Sequence, residues 1–246
     1  MSANQFSHEQ NVVSFGVEIT RVSTFGAAYN PSRDDLKIPG LNQLKANGDA
    51  VISSLNYADN LFKKAIAART LTFSDMDSLV TRAINAFRIS GVAPQSIEQA
   101  EAIVRDIRGE RATDKLTDEE IAAAKEEGKD PKQVVVHNSS YDSKTSSYRK
   151  FVQYVGAEDK YRPNEADISP AGLNAKLAAL ESATYNYNTA GAALEAARLV
   201  RNTLLYTETT GLVDIALAVK GYVKSAFGAD SPQYRQISDI AFVTRA

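Results

Sequence analysis

An internal repeat is the feature that most limits what this chain can fold into. A shift of 132 residues aligns Tyr29 with Tyr161 and runs without a gap to Arg69, which aligns with Arg201. Eleven of the 41 aligned pairs are identical. A sequence that repeats predicts a structural unit that repeats, and the repeated units are expected to pack on each other.

Each copy has the pattern of one long helix. Apolar or small side chains recur at intervals of three and four over residues 41–69 and again over 173–201, which keeps one stripe facing a neighbouring helix. Both segments start beside a proline, Pro39 or Pro170, where the missing backbone N–H costs little. Several stripe positions are glycine or alanine, so neighbouring helices can approach closely.

A second amphipathic helix follows in each copy, over residues 75–90 and 211–227. We therefore predict a mainly α protein, an elongated helical bundle of two duplicated helical hairpins, with four long helices plus accessory helices. The predicted organisation is an N-terminal strand-like arm, a first helical repeat, a polar insertion with a connecting helix, and a second helical repeat, together in one compact domain: residues 1–28, 29–109, 110–160 and 161–246.

Three segments have strand-like sequences. Residues 13–20 alternate apolar and polar side chains, residues 133–137 include three valines, and residues 240–244 at the C-terminus alternate more weakly. These segments predict a small β element that closes one end of the bundle. Alternatively, the N-terminal arm pairs with a neighbouring subunit, because a strand edge needs hydrogen-bond partners. The residues that would carry this pairing are Val13, Phe15, Val17 and Ile19.

Composition narrows the function. A formal net charge of -2 gives no basic field to attract nucleic acid, so we predict no nucleic-acid partner. The lack of cysteine excludes disulfides and thiolate chemistry. No signal peptide and no apolar run of membrane-spanning length is visible, so the cytoplasm is the default location. Export by a route that needs no signal peptide is left open.

Catalytic and metal-binding patterns are missing from the sequence. The only histidines are His8, in an N-terminal segment predicted to be flexible, and His137. Neither lies three residues after a glutamate, as a di-iron bundle requires, and two are too few for a histidine zinc site. Glycine-rich phosphate-binding motifs are missing as well. We therefore predict no enzyme activity, no cofactor and no metal.

Two arginines interrupt the apolar stripes at equivalent places in the repeat. Arg69 and Arg201 are either partners in structural ion pairs, with Asp77 or Asp214 as the acid, or the ligands of an anion on a pseudo-twofold axis. The ion pair is the favoured interpretation.

The second copy also carries a family resemblance. Residues 211–214, 219–229 and 231–234, together with residues 161–165, resemble an uncharacterised family of bacterial helical-bundle proteins. The resemblance covers most of the chain from Tyr29 onward. It implies a helical bundle, without an activity, a ligand or a functional residue.

Two functional hypotheses follow. The first is a non-enzymatic structural or interaction protein that self-associates, as a homo-oligomer or filament, through its helical faces or its N-terminal strand. The alternative is a small-ligand carrier or sensor with a site between the two helical repeats.

Overall fold

The computed structural model describes residues 3–110, 117–126 and 140–243. This part of the chain is mainly α-helical and contains no strand. Two short 3₁₀ turns, Gly26–Ala28 and Asp34–Leu36, separate the first two α-helices. The α-helices in chain order are α1 (Ala3–Ser23), α2 (Ile38–Phe73), α3 (Met76–Arg88), α4 (Pro94–Arg108), α5 (Asp118–Glu126), α6 (Tyr141–Gly156), α7 (Pro170–Tyr206), α8 (Leu212–Phe227) and α9 (Pro232–Ser238).

The two long helices begin at equivalent places in the repeat. Helix α2 begins at Ile38 and α7 at Pro170, which differ by the same 132 residues as the sequence match. The hydroxyl of Ser169 accepts a hydrogen bond of 3.1 Å from the backbone N–H of Gly172, so it satisfies one of the free donors in the first turn of α7.

The chain forms two compact units. Unit 1 comprises the described residues of 1–63 and 190–246, and unit 2 comprises those of 64–189. Helices α2 and α7 therefore contribute to both units. In unit 1 the core is built by α1, α8, α9 and the adjoining parts of α2 and α7; its fully buried side chains include Phe15, Val22, Leu41, Leu205, Leu212, Val219, Val223 and Ile237.

The core of unit 2 is built by α3, α4 and α6 with the start of α7. Aromatic side chains are central to it: the ring of Tyr161 lies 5.6 Å from that of Phe87, and each is almost fully buried. Its fully buried side chains include Val80, Ala83, Phe87, Ala100, Tyr148, Phe151, Val155, Leu173 and Leu180.

The predicted helical hairpins are not supported. The closest packing in unit 2 joins α4 to α6 and to α3, and in unit 1 it joins α8 to α9 and to α1. The helix after each long helix thus packs mainly on helices other than that long helix. The physical reason is the amount of apolar surface that each helix can bury. Stripes rich in glycine and alanine bury little apolar area, whereas α1 presents Phe15, Ile19 and Val22 to α8 and α9.

The predicted β element is wrong for the described residues. Residues 13–20 lie in the middle of α1, because the apolar residues of this segment fit a helix as well as a strand. Val12, Phe15, Ile19 and Val22 are spaced by three or four residues and are all buried, so one helical face reaches the core of unit 1. Residues 133–137 lie outside the described residues.

The C-terminal segment, also predicted as a strand, has no regular structure over residues 240–243. The side-chain amide of Asn11 holds it by accepting from the N–H of Val243 at 2.8 Å and donating to the carbonyl of Val243 at 2.9 Å. The ammonium group of Lys220 donates to the carbonyls of Ser238 and Ile240. A side-chain amide and an ammonium group therefore supply the partners that a neighbouring strand would have provided.

The turns before the two long helices are built alike. The hydroxyl of Tyr29 donates to the carbonyl of Leu36 at 2.8 Å, and that of Tyr161 donates to the carbonyl of Ile168 at 2.6 Å. Both tyrosines are buried, and in both cases the bond spans seven residues. The same turn packs so tightly against Gly172 that a Cβ there would lie 2.1 Å from the carbonyl oxygen of residue 166.

Candidate functional site

The four predicted interaction residues divide between the core and the surface of unit 1. Phe15 and Ile19 are 0% and 6% exposed and belong to the core. Val13 and Val17 are 50% and 41% exposed and lie one turn apart on the opposite side of α1. The predicted strand pairing is therefore wrong, but two of its four residues form an apolar face on the helix surface.

An open groove of about 310 Å³ adjoins this face. It lies between α1 and α2, which approach closely because Gly48 has no side chain: a Cβ at this position would lie 3.1 Å from a methyl carbon of Val12. Asp49 forms an ion pair with Lys45 at 2.6 Å. Glu9, the other acidic residue of the groove, has no ion-pair partner among the described residues. The groove is lined by Glu9, Val12, Val13, Asp49, Ile52, Ser53 and Asn56.

Apolar side chains continue along α2 beyond the groove. Ser53 lines the groove, and Tyr57 and Leu61 follow at intervals of four residues, which places them along the same side of the helix. Tyr57 is 68% exposed and Leu61 is 40% exposed. Exposed apolar residues that cluster in this way are typical of surfaces that bind another protein.

The two arginines have different surroundings. Arg69 lies in unit 2, and its guanidinium carbon is 3.3 Å from the ring centre of Tyr187 and 4.4 Å from that of Tyr141. Arg201 lies in unit 1, is almost fully buried, and donates from Nε and Nη2 to the amide oxygen of Asn202 at 3.1 and 2.8 Å.

The acids predicted to pair with these arginines have other partners. Asp77 accepts from Arg108 at 2.7 Å, and Asp214 accepts from the backbone N–H of Thr209 at 2.7 Å. The buried Nε of Arg69 has no hydrogen-bond partner among the residues that the structure describes. The ion-pair and anion-binding interpretations of the two arginines both stay predictions.

A buried carboxylate, Glu18, was not found by the sequence analysis. It lies on the core side of α1 with 0% exposure, and neither carboxylate oxygen has a hydrogen-bond partner within the described residues. Burial raises the pKa of Glu18 to about 8, and the positive charge of Lys220 opposes this increase. Burial also raises the pKa of Tyr29, and the charge of Glu18 raises it further.

A second set of buried polar side chains includes His8. The prediction of a flexible segment is wrong for this residue, which is only 3% exposed. Its Nδ1 lies 2.6 Å from the hydroxyl of Tyr206, and Asn11 donates to the same hydroxyl at 3.2 Å. Because Asn11 also binds Val243, the group connects α1 and α7 to the C-terminal segment. His137 lies outside the described residues.

No group of three metal-ligating side chains occurs in residues 3–110, 117–126 and 140–243. None of the described helices is long and apolar enough to cross a membrane. In comparisons with known proteins, no family model, no curated protein and no solved structure matches the chain.

Proposed function

We propose that this protein is a non-enzymatic structural or interaction protein that self-associates through the exposed face of α1. The observation that carries the proposal is the exposure of Val13 and Val17 on a helix whose opposite side is completely buried. Removing apolar surface from water lowers the free energy, so exposed apolar side chains favour the binding of a partner that covers them.

The charges on α1 favour a second copy of this chain as the partner. Glu9, Val13, Val17 and Arg21 are spaced by four residues and form one ridge of the helix. Two such ridges can cross about a twofold axis that passes midway between the valines. Val13 then meets Val17 of the second copy, and Glu9 meets Arg21 of the second copy. The surface is therefore self-complementary, as a twofold interface requires.

The proposal includes a duplicated origin of the chain. The matched tyrosine hydrogen bonds and the matched starts of α2 and α7 support it. Each compact unit also contains helices from both halves of the chain: α1 and α8 in unit 1, and α3 and α6 in unit 2. One half alone could complete neither unit, so an unduplicated ancestor would have needed a second copy of itself.

The test compares the solution mass of the wild type with that of Val13→Glu/Val17→Glu by light scattering over a range of concentrations. The wild type is expected to exceed the monomer mass, and the double variant is expected to be a monomer with unchanged helicity. Ile89→Glu is the control, because Ile89 is an 87% exposed apolar residue of unit 2. Deleting residues 1–28 is not a useful test, since it would remove Phe15 and Ile19 from the core.

Charge reversal tests the orientation of the two copies. Arg21→Glu alone should weaken association, because it places like charges opposite each other, and Glu9→Arg in the same chain should restore it. A wild type that is monomeric at every concentration would refute self-association. A wild-type oligomer that survives Val13→Glu/Val17→Glu would show that a different surface is used.

A further inference from the structure

The guanidinium group of Arg69 is fixed in an unusual way. The tyrosine rings of Tyr187 and Tyr141, with centres 3.3 and 4.4 Å from its central carbon, hold the planar group in place. Such contacts use the face of the guanidinium and leave the N–H groups at its edge to bind an acceptor. Arg69 and both tyrosines are partly exposed, whereas the Nε atom of Arg69 is itself buried.

The protein supplies no acceptor within the described residues. The buried Nε of Arg69 has no hydrogen-bond partner there, and neither does the buried hydroxyl of Thr184, one turn before Tyr187 on α7. A buried donor without an acceptor destabilises the folded state, so these two donors call for an explanation.

The acids on neighbouring turns already hold other cations. Asp75 accepts from Lys176, and Glu181 accepts from Arg149 at 2.8 Å. The positive charge of Arg69 is therefore not neutralised by either of them. Among the described residues, neither the buried Nε of Arg69 nor the hydroxyl of Thr184 has an acceptor.

The repeat provides an internal comparison. At the equivalent position, Arg201 is followed by Asn202, whose amide oxygen accepts from both Nε and Nη2. Arg69 is followed by Thr70, whose hydroxyl donates to the backbone carbonyl of Ile66 at 3.0 Å and provides no such acceptor. Among the described residues, an acceptor is thus present for Nε of Arg201 and absent for the buried Nε of Arg69.

We propose that Arg69 and Thr184, with Tyr141 and Tyr187 as the stacking groups, bind an oxyanion, namely the carboxylate or phosphate group of a small ligand. The edge of the guanidinium donates two parallel hydrogen bonds to two oxygens of the anion, and the threonine hydroxyl donates a third. This site goes beyond self-association and gives the protein a small-ligand function in unit 2.

The test follows the Nε–H resonance of Arg69 by nitrogen-15 NMR while phosphate or succinate is added at constant ionic strength. At least one of the two anions is expected to shift the resonance in a saturable manner and to raise the melting temperature. Phosphate and succinate are tested separately because the anion that binds more tightly identifies the ligand group. No saturable shift with either anion would overturn the proposal.

Three variants separate binding from packing. Arg69→Lys keeps the charge but loses the planar fork, so affinity should fall at least about tenfold. Thr184→Val keeps Arg69 and removes one donor, and should weaken binding about threefold to tenfold, as expected for one lost hydrogen bond. Arg198→Gln, which removes an exposed arginine paired with Glu195, should bind like the wild type. Wild-type affinity in Arg69→Lys or Thr184→Val would contradict the proposed site.

Discussion

The buried carboxylate of Glu18 should make the stability of unit 1 fall as the pH rises. Its pKa is about 8 in the folded protein and 4.5 as the ordinary value. An acid with a raised pKa binds its proton more tightly in the folded state, so its stabilising effect is complete below pH 4.5 and is lost as the pH approaches 8. Within this interval the loss is about 1.4 kcal/mol for each pH unit, or about 5 kcal/mol over the whole interval.

The cause of this effect is visible in the surroundings of the carboxylate. Lys220, whose positive charge opposes the increase in the pKa of Glu18, is occupied with the carbonyls of Ser238 and Ile240. The pKa of Tyr29 is raised by burial, so its phenolic group is neutral at these pH values. Ionised Glu18 would therefore carry a buried charge without a hydrogen bond, which is strongly unfavourable. Protonation removes that cost.

Glu18→Gln isolates the effect, because the amide is neutral at every pH and has nearly the same shape. Urea unfolding at pH 5.5 and 7.5 should show that the wild type loses about 3 kcal/mol more than the variant between these values. Since the chain has two compact units, hydrogen exchange of the α1 and α8 amides should assign the loss to unit 1. Glu98→Gln, at an exposed position, should behave like the wild type. Parallel stability curves for the wild type and Glu18→Gln would refute the reasoning, because Glu18 would then be ionised already at pH 5.5.

Four further substitutions test the packing. Asn11→Ala removes both hydrogen bonds to Val243, so carboxypeptidase should digest the C-terminus faster than in the wild type. Gly172→Ala should destabilise the folded protein by about 1–3 kcal/mol, because the added methyl group would collide with backbone oxygens. Gly221→Ala should stabilise it by about 0.5–1 kcal/mol, because the methyl group meets open space in the middle of α8. Thermal unfolding measures both changes. Tyr161→Phe should cost about 1–3 kcal/mol, since it leaves a buried carbonyl without its donor, as measured by urea unfolding.

The long helices could be predicted from the sequence because the evidence for them is local. A three-and-four spacing that persists for eight turns, with a proline in the first turn, is hard to satisfy in any other structure. The observed starts at Ile38 and Pro170 agree with the prolines at 39 and 170. The spacing could not indicate where α2 and α7 end, and both continue past the last arginine of the stripe, to Phe73 and Tyr206.

Helix α1 could not be predicted because its sequence is ambiguous. Val13, Phe15, Val17 and Ile19 alternate as in a strand, while Phe15 and Ile19 alone continue a helical face. Only the neighbouring helices of unit 1 decide between the two, since they contact one side of α1. The same ambiguity concealed Glu18: in a strand it would have faced away from the apolar residues, and in the helix it lies within the buried face.

The hairpin prediction failed for a reason that bears on assembly. It assumed that each half of the chain buries its own apolar surface, yet α8 buries its surface against α1, from the opposite end of the chain. A helix whose natural partner is distant in sequence can accept that partner from the same chain or from another one. In this chain both halves are covalently joined, so the two units can be completed internally. The outer face of α1, with Val13 and Val17, is left exposed after unit 1 is complete, and we propose that a second copy buries its apolar area at this face.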